Sequence, residues 1–147
     1  MFVQIKGNKS AASARAFLKA LHKAGPIRIN KVLTDNGGEF TDRLFTSRAK
    51  ESSGQHEFGR LCHKLGIKHR LTKPRTPQTN GMAERFNGRV SDVLKIHRFD
   101  SGKDMCQTIE RYVYLYNHQL PQSALHSRTP MQELERWYNE KHELFQR

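Results

Sequence analysis

An α/β fold with helices added towards its C-terminal end is what this sequence predicts, because its elements run strand, helix, strand, helix, strand and then helices only. Chain length agrees: 147 residues suffice for one domain with a core and are too few for two comfortable ones. Eight Phe, four Tyr and one Trp within a 35% apolar composition supply material for that core.

Met1 to Lys6 alternates weakly and is apolar enough for a first strand. Asn8 or Ser10 can cap a helix running to about Ala24, with Ala12, Ala16, Phe17, Ala20 and Leu21 on its apolar stripe, and Gly25-Pro26 ends it. Ile27 to Thr34, carrying Ile27, Ile29, Val32 and Leu33, predicts the second strand, closed at once by the turn residues Asp35-Asn36-Gly37-Gly38. Asp42 to Gln55 is polar and reads as loop. His56 to Leu65 predicts a short helix with Phe58, Leu61, Cys62 and Leu65 inward; Gly66 stops it, and Ile67 to Leu71 makes the third strand. The Pro- and Thr-rich stretch from Thr72 to Gly81 is a loop. A helix follows from about Asn80 to His97, with Met82, Phe86, Val90, Val93 and Leu94 on its core side, and further helices fit Asp104 to His118 and Pro130 to His142.

Lys and Arg total 26 against 14 acids, a formal charge of +12 that favours polyanionic partners, nucleic acid foremost. The basic residues are spread along the chain, as on the charged face of a fold rather than in a tail. Apolar runs of only a few residues exclude a membrane-spanning helix, and the basic, polar start does not read as a signal peptide. Cys62 and Cys106 form no CxxC, which points away from a disulfide framework and towards a reducing, cytoplasmic setting. His56, Cys62, His63 and His69 match no common structural zinc spacing.

Asp35 at the end of an apolar strand and Glu84 in the first turn of a helix are stiffly held carboxylates, of the oxygen-donor type that Mg²⁺ or Mn²⁺ prefers. Each also has an ordinary role, Asp-Asn-Gly as a turn former and Glu as a complement to the helix dipole. Their surroundings favour the chemical reading. Val32-Leu33-Thr34-Asp35-Asn36-Gly37-Gly38-Glu39-Phe40-Thr41 resembles the second-aspartate motif of DDE integrases and insertion-sequence transposases. The run Pro74-Arg75-Thr76-Pro77-Gln78-Thr79-Asn80-Gly81-Met82-Ala83-Glu84-Arg85-Phe86-Asn87-Gly88 resembles their glutamate motif. Tyr116-Asn117, Pro121, Ala124-Leu125 and Thr129-Pro130 look like the closing segment of bacterial members, to which the chain is more similar than to retroviral enzymes.

The resemblance implies a ribonuclease H-like fold with C-terminal helices, residues 1–127 forming a partial catalytic core and 128–147 a helical extension of the same domain. It implies metal-dependent phosphoryl transfer on DNA, with Asp35 and Glu84 as second and third carboxylates and two Mg²⁺ or Mn²⁺ ions in a complete site. Lys73, Arg75 and Gln78, together with Arg85, Asn87 and Arg89, would contact DNA, and a complete enzyme would work as an oligomer in the bacterial nucleoid. Family members carry a first aspartate on a first strand, whereas residues 1–34 here contain no Asp or Glu. Met1 to Lys6 corresponds by resemblance to the third strand, so the core is expected to lack its first two strands and to be inactive by itself. The Asp35-to-Glu84 spacing, wider than in retroviral integrases, fits a surface insertion around Asp42 to Gln55. Two other readings differ in class: a non-catalytic basic DNA-binding or interfering transposase remnant, and an RNA-binding ribosomal-type protein, which explains the charge but none of the motifs.

Overall fold

The computed structural model describes residues 1–42, 55–72 and 81–146, with the side chains of Gly81, Met82 and Ala83 left aside. The loops expected at Asp42 to Gln55 and Thr72 to Gly81 lie almost wholly outside these residues. The chain groups into two compact units: residues 6–79, and residues 80–147 together with Met1–Ile5.

In the first unit, helix α1 (Ala11–Ala24) starts at Ser10, whose side chain accepts from the Ser13 amide, while Asn8 Oδ1 accepts from the Ser10 and Ser13 hydroxyls. Both expected caps therefore act, one on the backbone and one behind it. The helix ends at Gly25, whose amide donates to Leu21. Its buried face differs from the expected stripe: Ala12 and Ala16 are exposed, and Leu18, 2% exposed, is the anchor. Runs of alanine leave the apolar face ambiguous, and the bulkier Leu18 gains more from burial and sets the rotation.

Strand β1 (Lys31–Thr34) pairs in parallel with β2 (Lys68–Leu71), Val32 facing His69 and Thr34 facing Leu71. Between them helix α2 (Glu57–Lys64) returns the chain, the crossover that a parallel pair requires. Gly66, at φ +68°, turns out of this helix in the left-handed region where a Cβ is strained. Leu18, Phe58, Cys62 and Ile67 form the core, with Ala14, Ile29, Val32, Phe40, Leu61 and Leu65 packed around them. All four residues of the expected α2 stripe take part. Only one sheet face is covered: Lys31, Leu33, Lys68 and Arg70 are exposed, Leu33 to 49%. The expected strand is thus shortened to Lys31–Thr34, and Leu33 is not a core residue.

The second unit is helical: α3 (Gly81–Ile96), α4 (Gly102–His118) and α5 (Pro130–Glu140), with short 3-10 turns at Ser123–Leu125 and His142–Leu144. Phe86, Ile109 and Tyr116 are buried, and Phe86 meets Tyr116 edge-on with ring centroids 5.1 Å apart. Leu94, expected inside, is exposed to 38%. Ser101 caps α4, and Thr129 with Gln132 forms a reciprocal capping box on α5, with Pro130 at its first position. Met1 to Lys6 forms no strand. Instead the Met1 amino group donates to Asn117 Oδ1, and Asn117 Nδ2 donates to the Met1 carbonyl at 2.9 Å. That side-chain amide takes up the terminal backbone groups that a strand neighbour would otherwise have to satisfy.

Leu18→Ala should lower the stability of the first unit by about 2–5 kcal/mol, whereas Ala16→Ser should change it by less than about 0.5 kcal/mol, read by urea unfolding. Equal effects would mean that α1 is rotated differently.

Candidate functional site

Asp35 stands immediately after β1, at the C-terminal end of a parallel pair, the edge where α/β proteins place ligand-binding groups. The pair extends one bond past the ladder, the Thr72 amide donating to the Thr34 carbonyl at 2.8 Å. Asp35 Oδ1 accepts from the Gly37 amide at 2.9 Å, a local turn that fixes the carboxylate. Asn36 Nδ2 reaches across to the Thr72 carbonyl at 2.9 Å, and its buried Oδ1 has no hydrogen-bond partner among the described residues. His56 Nε2 lies 3.1 Å from the Gly38 carbonyl, so the residue that caps α2 through Nδ1 also holds the far side of the turn.

His69 contributes from β2, its Nε2 2.8 Å from Thr34 Oγ1 and its ring edge-on to Phe58. Burial, with His56 nearby, holds its imidazole below the ordinary histidine value. Cys62 is a core residue whose thiol burial pushes up, against a backbone hydrogen bond that lowers it. The bracing roles of Asn36, His56 and His69 were not read from sequence. The Asn of Asp-Asn-Gly was the available signal, since its amide can bond backbone as easily as complete a turn.

Asp35 is exposed and makes no ion pair among the described residues, whereas Glu39, four residues on, is 10% exposed at its side chain and paired with Lys9 at 3.2 Å. An oriented carboxylate not neutralised by a neighbour suits a hard divalent cation in donor type. Glu84 lies in the first turn of α3, exposed, as is Asn87 one turn later on the same side of the helix. Glu84 and Asp35 belong to different units. Arg85 and Arg89 are exposed and line, with Phe86, Tyr116 and Pro121, a cavity of about 350 Å³ within the helical unit. Arg89 stands over the Tyr116 ring, 5.8 Å from its centroid, and donates to Gln122 Oε1 at 3.4 Å. Lys73, Arg75 and Gln78 lie outside the described residues. The closing segment has a structural account: Asn117 holds Met1, Thr129 caps α5, and a bridge between Gln122 and Arg128 shapes the turn between them, with His126 and Ser127 at positive φ.

Comparison with known proteins finds a match to the model of the integrase core domain over residues 65–130. A retrovirus-related Pol polyprotein from a transposon of Nicotiana tabacum is 35% identical over 68 residues, which are 46% of this chain and 4% of that protein. A putative integrase of a Spiroplasma virus is 28% identical over 105 residues, 71% of this chain and 29% of that protein. The chain thus spans less than a third of either relative's length. Among solved structures, the catalytic core domain of BIV integrase superposes with a TM-score of 0.66 over 93% of this chain and 79% of that one, at 20% identity. A simian T-cell lymphotropic virus intasome, solved with a PP2A regulatory subunit, gives a TM-score of 0.55 at 22% identity, over 80% of this chain and 37% of that one.

The lowered value of His69 generates a pH dependence. The folded state favours the neutral ring, so this contribution to stability is complete above the unfolded value of about 6.5 and is lost as pH falls through the folded one. Thermal unfolding followed by circular dichroism should show a midpoint that declines below about pH 6.5, and His69→Gln should flatten that decline. Identical pH profiles would show that His69 is not the group responsible.

Proposed function

We propose that this chain is an integrase-core protein that serves DNA transposition or integration by metal-dependent phosphoryl transfer, a reading supported by the match to the integrase core domain over residues 65–130 and by the fold it shares with the BIV integrase catalytic core. The observation that carries the reading is Asp35 itself: exposed, unpaired among the described residues, and oriented by the Gly37 amide at the end of a parallel strand. In this proposal Asp35 and Glu84 are the carboxylate ligands of Mg²⁺ or Mn²⁺. Such ions, when bound, activate the attacking oxygen and stabilise the leaving one during phosphodiester transfer.

The chain's own residues do the rest by positioning. Asn36 and His56 hold the Asp35 turn against β2 and α2, so the carboxylate need not be ordered when substrate arrives. Asn87, exposed beside Glu84 on α3, is placed to meet a DNA phosphate or base, and Arg85 and Arg89 add positive charge on the same helix. Lys73, Arg75 and Gln78 are proposed to guide the DNA end. Transposon ends and target DNA would be the substrates, in an oligomer of the insertion-sequence type.

Charge favours a second reading for the chain acting by itself. No acidic residue occurs among residues 1–34, and two carboxylates offer little negative charge for two clustered cations. With a net charge of +12, the isolated chain then acts as a DNA-binding module.

Two measurements test these readings. By itself the chain should bind duplex DNA in a salt-sensitive manner and neither cleave nor join it in Mg²⁺ or Mn²⁺. In a polypeptide that adds a third carboxylate strand, Asp35→Asn or Glu84→Gln should reduce cleavage by more than about 100-fold, beyond the loss typical of an outer-shell partner, while sparing DNA binding. Cleavage that survives either substitution would remove these two residues from the metal site.

A further inference from the structure

Helices α1 and α2 of the first unit enclose a cleft of about 540 Å³ that shares no residue with the Asp35 turn. Its walls are two basic pairs at helical i, i+4 spacing, Arg15 and Lys19 on α1 and Arg60 and Lys64 on α2. Members of each pair stand one above the other, about 6 Å apart along the helix axis. The floor is Leu61 and Leu65, which already pack on the core. Glu57 is the single acid in the lining, and it pairs with Arg15 at 3.2 Å, leaving Lys19, Arg60 and Lys64 exposed with no ion pair among the described residues.

Arg15 gives a second, independent sign of a ligand. Its Nη2 is held by Glu57, but its Nε is buried without a hydrogen-bond partner among the described residues. A buried donor left unsatisfied costs free energy, which an acceptor oxygen reaching it would recover. A guanidinium with one nitrogen held by a carboxylate and another donor without a partner is suited to a phosphate, which accepts paired hydrogen bonds from it.

We propose that the α1–α2 cleft is a second DNA-binding site, which takes the sugar-phosphate backbone of a duplex without reading its sequence. The cation spacing along each helix, about 6 Å, is of the order of the separation between neighbouring phosphates of one strand. Nucleic acid is favoured over an acidic protein helix because the apolar floor is narrow, only two leucines, and the walls offer charge where a protein interface would present aromatic or apolar anchors. The identity of the polyanion as DNA rests on the function proposed above; the cleft as a phosphate-binding site stands on its own residues.

The test uses the full chain and a duplex of arbitrary sequence, with affinity measured by fluorescence anisotropy across a salt series. Arg60→Ala with Lys64→Ala alters exposed side chains, so circular dichroism should remain that of the parent. This double variant should bind roughly tenfold more weakly, with a salt slope lower in magnitude by about two. Lys19→Ala, on the facing helix, should lower the slope by about one. Parent and double variant binding alike would overturn the cleft while leaving the functional reading intact. A parent chain that binds no duplex would overturn both. A poly-glutamate peptide or a second copy of the chain that depends on Arg60 and Lys64, with DNA binding indifferent to them, would make the cleft a protein-docking site and also overturn the proposal.

Discussion

The parallel pairing of β1 with β2 is the constraint from which the rest of the first unit follows. Four residues on each side are in register, and the Thr72 amide and the Asn36 side chain carry the bonding past Thr34 and Leu71 on either strand. A parallel ladder cannot close by a tight turn, so α2 must cross over, and its Phe58 and Cys62 become the layer against which Leu18 of α1 packs. Asp35 then emerges at the strand end with little freedom. Its position is set by backbone hydrogen bonds and core packing rather than by any contact of its own beyond Gly37.

Charge is arranged unevenly on this frame. Acids that lie near cations are largely engaged: Glu39 with Lys9, Glu57 with Arg15, and Glu133 with both Arg128 and Arg136. In the Glu133 cluster the carboxyl is held down to about 2, chiefly by its hydrogen bond to Arg136, an arrangement local to α5 and its cap. Asp35 and Glu84, like Glu110 and Glu135, are exposed and without an ion pair among the described residues. In a chain with 26 basic residues against 14 acids, a carboxylate with no ion pair among the described residues suits the metal-binding role proposed for it.

What the sequence made legible depended on how distinctive each residue was. In α2, Phe58, Leu61, Cys62 and Leu65 recur at helical spacing among polar residues, so the buried face was unambiguous. In α1 the alanines offered no comparable contrast, and the face was misjudged until Leu18 set it. Strand ends were overextended for a related reason. Ile27 and Leu33 are apolar, but β1 spans only Lys31–Thr34, so Ile27 lies before it, and Leu33 sits on its uncovered face; both are exposed. The Met1 to Lys6 strand failed because strand formation depends on a partner, which no local pattern reveals, and Asn117 supplied a side-chain substitute from 116 residues away. Asp35 and Glu84 were legible as a strand-end and a helix-start carboxylate, whereas the bracing by Asn36, His56 and His69 is tertiary and carries no periodic signal.

The second carboxylate owes its exposure to one aromatic residue. Successive residues of a helix are turned by about 100°, so Glu84 and Phe86 lie on nearly opposite sides of α3. Phe86 is 7% exposed, fixed between the rings of Tyr112 and Tyr116, and that contact dictates which way the first turn of the helix faces. Glu84 and Asn87 then point outward together, and Arg89, on the flank, is steered over Tyr116. The residues that aim the proposed ligand Glu84 in this unit are therefore aromatic, buried or half-buried. A change at Phe86 would alter the direction of Glu84 without touching it, because a helix rotates as one body and its buried side chain is the pivot.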